Sequence, residues 1–283
     1  MAAITTELVA QLRERTGAGL GDCRRALLST EGDIEAAIDS LRKKGIATAA
    51  KKAGRATREG VIAQCIAPGA RAGVLIEISC ETDFVAKNEK FQAFCNDMAR
   101  RLLDDPKADL EGARVAIIAE IGENILIARH VRLEVGGNGT IAAYIHHGAK
   151  VGVLVEVSAG NEPTLGNADY KQLVKDITLQ IAAGSPLAVT REQVDPALLA
   201  KEREIAAEQM SDKIQGKPVQ VVEKMVSGKL EKFFQTVCLL DQAFVKQSEV
   251  TIRDHMAAVG KSLGDAVAVQ RFHRFQVGES VGA

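Results

Sequence analysis

The chain has 283 residues, 46% hydrophobic and 26% charged, a balance that excludes a disordered polymer and suffices for two or three compact units with their own cores. Its formal net charge of -1 conceals one asymmetry: Arg42, Lys43, Lys44, Lys51, Lys52, Arg55 and Arg58 face a single nearby acid before Gly60, Glu59. The opening MAAITTELVAQLRERTG meets Glu7, Arg13, Glu14 and Arg15 before any uninterrupted apolar run, so it reads as neither a signal peptide nor a membrane span, and a cytoplasmic location without membrane attachment is expected.

Three short helices are predicted first, over Thr6–Arg15, Gly19–Leu28 and Asp33–Lys44, forming a domain of residues 1–45. Asp33 is the expected N-cap of the third, whose Ile34, Ala37, Ile38 and Leu41 fall on one face. Residues 46–59 read as a basic linker. Gripping RNA or the ribosome through phosphates is the alternative function for that segment. No aromatic residue is interleaved with its lysines, so stacking is not supported and nucleic acid is not the expected partner.

Beyond the linker the chain repeats itself. Gly60–Ser79 lies over Gly139–Ser158 without gaps at an offset of 79, with eleven identities in twenty positions. The register continues into a helix, placing Asn88, Phe91, Phe94, Cys95, Met98 and Leu102 on Asn167, Tyr170, Leu173, Val174, Ile177 and Ile181, one buried helical face in each copy. The match resumes at an offset of 142, with Ile121–Gly136 over Leu263–Gly278, which implies about 63 residues inserted in the second copy. Helical patterns flanking Gly216-Lys217-Pro218 make the insertion a protruding antiparallel helical hairpin. The expected architecture is α+β: the three-helix N-terminal domain, then a tandem-duplicated core of small antiparallel sheets and helices, interrupted by the hairpin. Its subdomains are residues 60–138, then 139–184 with 229–278; the hairpin takes 185–228 and a tail 279–283.

Motifs for chemistry fail on inspection. Gly260-Lys261-Ser262 resembles the end of a phosphate-binding loop, but the first glycine of that motif would be His255 and no strand precedes it. Five scattered cysteines and the His146-His147 pair lack metal-ligand spacing, so neither a metal nor a cofactor is expected, and the protein does not read as an enzyme. His147 matches Pro68 and belongs to one copy only. Gly122 matches Gly264, and so is first a backbone requirement of the repeated unit. The stretch SCETDFVAKN sets Phe84 among polar residues, and the second copy has Glu162-Pro163 where Asp83-Phe84 stand. The ring is therefore not demanded by the scaffold: it is either a binding anchor or a local staple on the helix starting near Asn88, with Leu165 as that staple's counterpart.

LRERTGAGLGDCRRAL (Leu12–Leu27), ETDFVAKNEKF (Glu81–Phe91), IGENI (Ile121–Ile125), HHGAKVGVLVEV (His146–Val157), GKPVQVVEKMVSGKLEKFF (Gly216–Phe234) and LLDQAFV (Leu239–Val245) closely resemble bacterial translation elongation factor Ts. The resemblance runs in order along nearly the whole chain. It implies a guanine nucleotide exchange factor that binds elongation factor Tu, disrupts its magnesium/GDP site and promotes GDP release during translation elongation, with a ubiquitin-associated-like N-terminal domain. It also implies that Thr82, Asp83, Phe84 and Val85 enter the partner near its magnesium. Further partner contacts are implied at Arg13, Leu20, Arg24, Ile121, Gly122 and His147, and the hairpin is a candidate surface for pairing two copies. Gly21 departs from the family pattern, which has a second bulky apolar residue there, and Ala243 stands where proline is common.

Overall fold

Thr5 and Asp33 each turn a side-chain oxygen onto a free backbone N–H, of Leu8 and Ala36, and so begin the first and third helices. The computed structural model describes residues 4–210 and 219–279. Helices α1 (Thr6–Thr16), α2 (Leu20–Ser29) and α3 (Ile34–Lys52) close around Leu12, Cys23, Leu27 and Ala37. Helix α3 runs eight residues past its predicted end at Lys44, so the first half of the expected linker is helical. Gly45, which suggests a stop, is instead a place of close approach: a Cβ there would sit 3.2 Å from Val115 Cγ1. The Ala- and Lys-rich stretch after it favours helix, and only residues 53–58 are left as a connection. Three of the basic side chains are spent inside the molecule: Lys44 on Asp22, Lys52 on the Gly122 carbonyl and Arg55 on Glu81.

Strands β1 (Glu59–Ile66), β2 (Ala72–Cys80) and β3 (Ile125–Glu134) form one antiparallel sheet with β2 central. A helical turn α4 (Asp83–Ala86) and helices α5 (Glu89–Asp104) and α6 (Glu111–Ile121) come between β2 and β3. Strands β4 (Gly139–Ile145), β5 (Val151–Ala159) and β8 (Val267–Gln276) repeat the arrangement, with β5 central. Even the irregularity is repeated: the β2/β3 register shifts at Glu77/Ile78 and the β5/β8 register at Glu156/Val157, which are 79 residues apart.

Alternation along the central strands builds four layers. Val74, Ile76 and Ile78 of β2 pack with Phe91, Cys95, Met98 and Leu102 of α5, while Leu75 faces the other sheet. On β5, Val153, Val155 and Val157 pack with Tyr170, Leu173, Ile177 and Ile181 of α7 (Ala168–Gly184) and with Ile252 and Met256 of α10 (Ile252–Leu263), and Leu154 faces back. Between the sheets lie Ile62, Leu75, Leu133, Ile141, Leu154 and Phe275. Gly73 and Gly152 let the central strands approach: a Cβ on Gly73 would lie 2.8 Å from Ile141 Cγ2, and one on Gly152 2.5 Å from Ile62 Cγ2.

The insertion contains α8 (Pro196–Glu208) and α9 (Val219–Val237), whose near ends meet where Leu198 and Leu199 pack with Phe233, Phe234 and Val237. The turn read at Gly216-Lys217-Pro218 lies outside the described residues. Both predicted hairpin boundaries need correction. Leu187 and Ala188 donate backbone hydrogen bonds to Val237 O (2.8 and 3.1 Å), and Leu240 N donates to Val189 O (3.1 Å), so 187–189 belong to the core; α9 passes through residue 228 without a break. Buried Ala188 and Val189 make the reason plain: apolar residues beside the helix end at Gly184 have a core to join. Arg191 then locks the base against Glu231 and Asp241. A small ribbon, β6 (Ala243–Phe244) with β7 (Gln247–Thr251), was not expected; it leads into α10.

These boundaries set an expected outcome. Replacing residues 202–228 by a short Gly-Ser loop spares the packed base at Leu198, Leu199, Phe233 and Phe234, so the remainder should unfold cooperatively in calorimetry. A broad, non-cooperative transition would make the arm part of the core.

Candidate functional site

Phe84 is 82% exposed, the most exposed large apolar side chain among the described residues. It stands on α4, a single turn that begins where β2 leaves the sheet at Cys80. Thr82 caps that turn: its backbone is extended and its Oγ1 accepts from Val85 N (3.3 Å). Asp83, next to the ring, pairs with Lys87 at 2.7 Å, one helical turn on. That hydrogen bond, outweighing some desolvation, holds the Asp83 carboxyl below the usual carboxylate range, and Lys87 is raised in return.

The local apolar contacts of the turn are made by others. Val85 and Ala86 pack on the first core, and in the second copy Leu165 packs on the second core. Phe84 makes no staple on α5.

The turn is held from outside by Glu123. Its Oε2 accepts from Glu81 N and Thr82 N (3.0 Å each), and its Oε1 accepts from Thr82 Oγ1 (2.6 Å). In return Asn124 N donates to Glu81 Oε1 (2.6 Å). Gly122, the C-cap of α6 at φ 88°, puts the chain on course for this exchange, and Lys52 donates to its carbonyl. Ile121 and Gly122 are thereby brought beside the tip. Sequence reading missed Glu123, although a signal existed: Asp265, its counterpart at the 142-residue offset, follows Gly264, an equivalent left-handed C-cap. Asp265 Oδ2 accepts from Asn161 N (2.9 Å), the position matching Thr82, and from Thr164 Oγ1 (2.5 Å). Those bonds hold its carboxyl below the ordinary range, the Thr164 hydroxyl foremost.

A groove of about 530 Å³ runs from Asp83, Ala86 and Lys87 to the β4–β5 turn at His146 and Gly148. His146 Nδ1 lies 3.0 Å from Tyr144 Oη, and His147 is exposed beside it. The groove thus has the tip at one end and the histidine turn at the other. Arg13, Leu20 and Arg24 are exposed on the three-helix unit and do not line it; Leu20 is 54% exposed, and neither arginine has an ion-pair partner among the described residues. The arrangement presents one exposed apolar ring on a turn held by hydrogen bonds from its own cap and from Glu123.

All five cysteines are free. Cys80 lies under the tip, its Sγ donating to Thr82 O (3.2 Å), and burial with the nearby Glu123 charge pushes the thiol up to about 12. Alkylation of the native protein at about pH 8 should therefore spare Cys80 and reach half-buried Cys65 first, as read by peptide mass spectrometry. Fast native labelling of Cys80 would mean that the strand end opens.

Comparison with known proteins gives the family. A family model described as Elongation factor TS matches residues 81–279, which include the tip, Glu123 and the whole second sheet. An elongation factor Ts of Nitratidesulfovibrio vulgaris (strain DP4) is 40% identical over 284 residues, covering 99% of this chain and 98% of its own. One from Symbiobacterium thermophilum is 42% identical over 288 residues (99% and 94%), and one from Clostridium botulinum (strain Alaska E43 / Type E3) 41% over 292 (98% and 94%). No helix among the described residues is long and apolar enough to cross a membrane. Similarity of this depth from end to end, on top of a family match over most of the chain, means that the protein belongs to the elongation factor Ts family of translation elongation factors.

Proposed function

We propose that this chain is a guanine nucleotide exchange factor for elongation factor Tu, working in the cytoplasm and making or breaking no covalent bond. The observation that carries the reading is Phe84, exposed at 82% on a turn fixed by its own cap and by Glu123. An apolar ring held out in water at a fixed angle is stabilised only when a partner covers it. Insertion of Asp83-Phe84 beside the partner's magnesium would disturb an ion that tolerates little departure from octahedral geometry, and so weaken the nucleotide phosphates it bridges. By linkage, a factor that binds the nucleotide-free partner more tightly makes nucleotide bind less tightly by the same ratio. Arg13, Leu20, Arg24, Ile121, Gly122 and His147 are proposed as the surrounding contacts.

The test is the release of fluorescent GDP from elongation factor Tu with and without this chain. Saturable acceleration is expected, together with a complex that excess GDP dissolves. Release at the unassisted rate at every concentration of the chain would refute the proposal.

A further inference from the structure

We infer that Glu123 is a positioning residue for exchange: by fixing the backbone of Glu81 and Thr82 it sets the direction in which Phe84 leaves the surface. The inference rests on the proposed insertion of Phe84 into the partner. A four-residue helical turn has no cooperativity of its own, so its geometry must come from what holds its first residues. Two consecutive N–H groups converge on one Glu123 oxygen, and the Thr82 hydroxyl spends its proton on the other. That orients the hydroxyl lone pair toward Val85 N, so the cap itself depends on Glu123. Glu123 is in turn held from behind. Gly122 receives Lys52, and Asn124 Nδ2 donates to Arg55 O (2.9 Å), which makes the brace continuous with the chain segment leaving α3.

The duplicated half separates this role from mere folding. Asp265 holds Asn161 and Thr164 in the corresponding way, but the turn it braces presents Glu162 and Pro163 and no aromatic ring. Loss of either acid should cost comparable stability, whereas only loss of Glu123 should misdirect Phe84.

Four variants of the full chain test this: Glu123→Ala, Glu123→Asp, Asp265→Ala and Phe84→Ala, each assayed for GDP release from elongation factor Tu well below its Tm. Glu123→Ala should lower the maximal rate at saturating factor about tenfold, the result of a tip correctly directed in about a tenth of the molecules. Half-saturation should move less, because the other proposed contacts are untouched. Hydrogen exchange at the Glu81 and Thr82 amides should accelerate in the same variant. Glu123→Asp should restore most of the rate, since an aspartate at 265 reaches the equivalent amide at 2.9 Å. Asp265→Ala should keep the wild-type maximal rate. A wild-type maximal rate in Glu123→Ala, with Phe84→Ala slow, overturns the positioning role and leaves the insertion standing. An equal loss in Asp265→Ala also overturns it, by reducing the effect to general stability. Normal release by Phe84→Ala overturns the insertion itself and the positioning role with it.

Discussion

Phe84→Ala should slow GDP release from elongation factor Tu about thirtyfold, since truncating an anchor that fills a partner costs on the order of 2 kcal/mol in the transition state for release. The same substitution should leave Tm within about 2 °C, because a side chain exposed at 82% contributes little to its own fold. A Tm loss with normal exchange in the folded variant would assign the ring to stability instead. Asp83→Ala supplies a second axis: if disturbance of magnesium is the mechanism, both defects should shrink in a chelator, where the ion is already gone. Defects of unchanged size without magnesium would place the action of the tip on the phosphates or the base.

Glu77→Ala should destabilise the protein by about 3 kcal/mol, which for a chain of this size lowers Tm by roughly 5–10 °C. The Glu77 side chain is 3% exposed and pairs with Arg129, itself 17% exposed, at 2.7 Å, while its other oxygen accepts from Gly278 N (3.0 Å). Removing the carboxylate leaves the largely buried guanidinium with only the more distant Glu279 carboxylate, at 3.3 Å, to balance its charge, and takes the acceptor away from Gly278 N. Replacing both partners, as Glu77→Met with Arg129→Leu, should recover more than half of the loss, because the penalty comes chiefly from a largely buried charge left with one weaker partner, Glu279. The recovery will be incomplete, since Arg129 also lies 4.2 Å over the Phe275 ring and donates to Gln276 O (3.0 Å). A Glu77→Ala variant that melts within about 2 °C of the parent would show that water reaches Arg129 freely.

The repeat was legible in the sequence because positions buried in both copies kept their chemistry: Phe91 and Tyr170, Met98 and Ile177, Leu102 and Ile181 all lie in their respective cores. The extension of α3 was not, since Gly45 reads locally as a stop and only the surface of α6 turns it into a contact. The true base of the insertion was hidden for a similar reason, residues 187–189 being defined by bonds to a segment about fifty residues away. Within the site, the odd placement of Phe84 could be seen by comparing copies. The bonds of Glu123 do not show in local spacing, because its partners stand more than forty residues before it in the chain; only its match with Asp265 in the second copy points to it.

The face between the two sheets has the character of an isologous interface. Arg129 donates to Gln276 O and Arg271 to Glu134 O, and Gly73 faces Ile141 as Gly152 faces Ile62, each contact answered by its exchange partner. Two free subunits meeting this way would form a homodimer subject to mass action, and every feature of one would appear on the other. Joining them in one chain makes the association independent of concentration and releases the halves from identity. One end can then carry Asp83-Phe84 and the other Glu162-Pro163, so the pair presents a single exposed ring, where a symmetric assembly would present two.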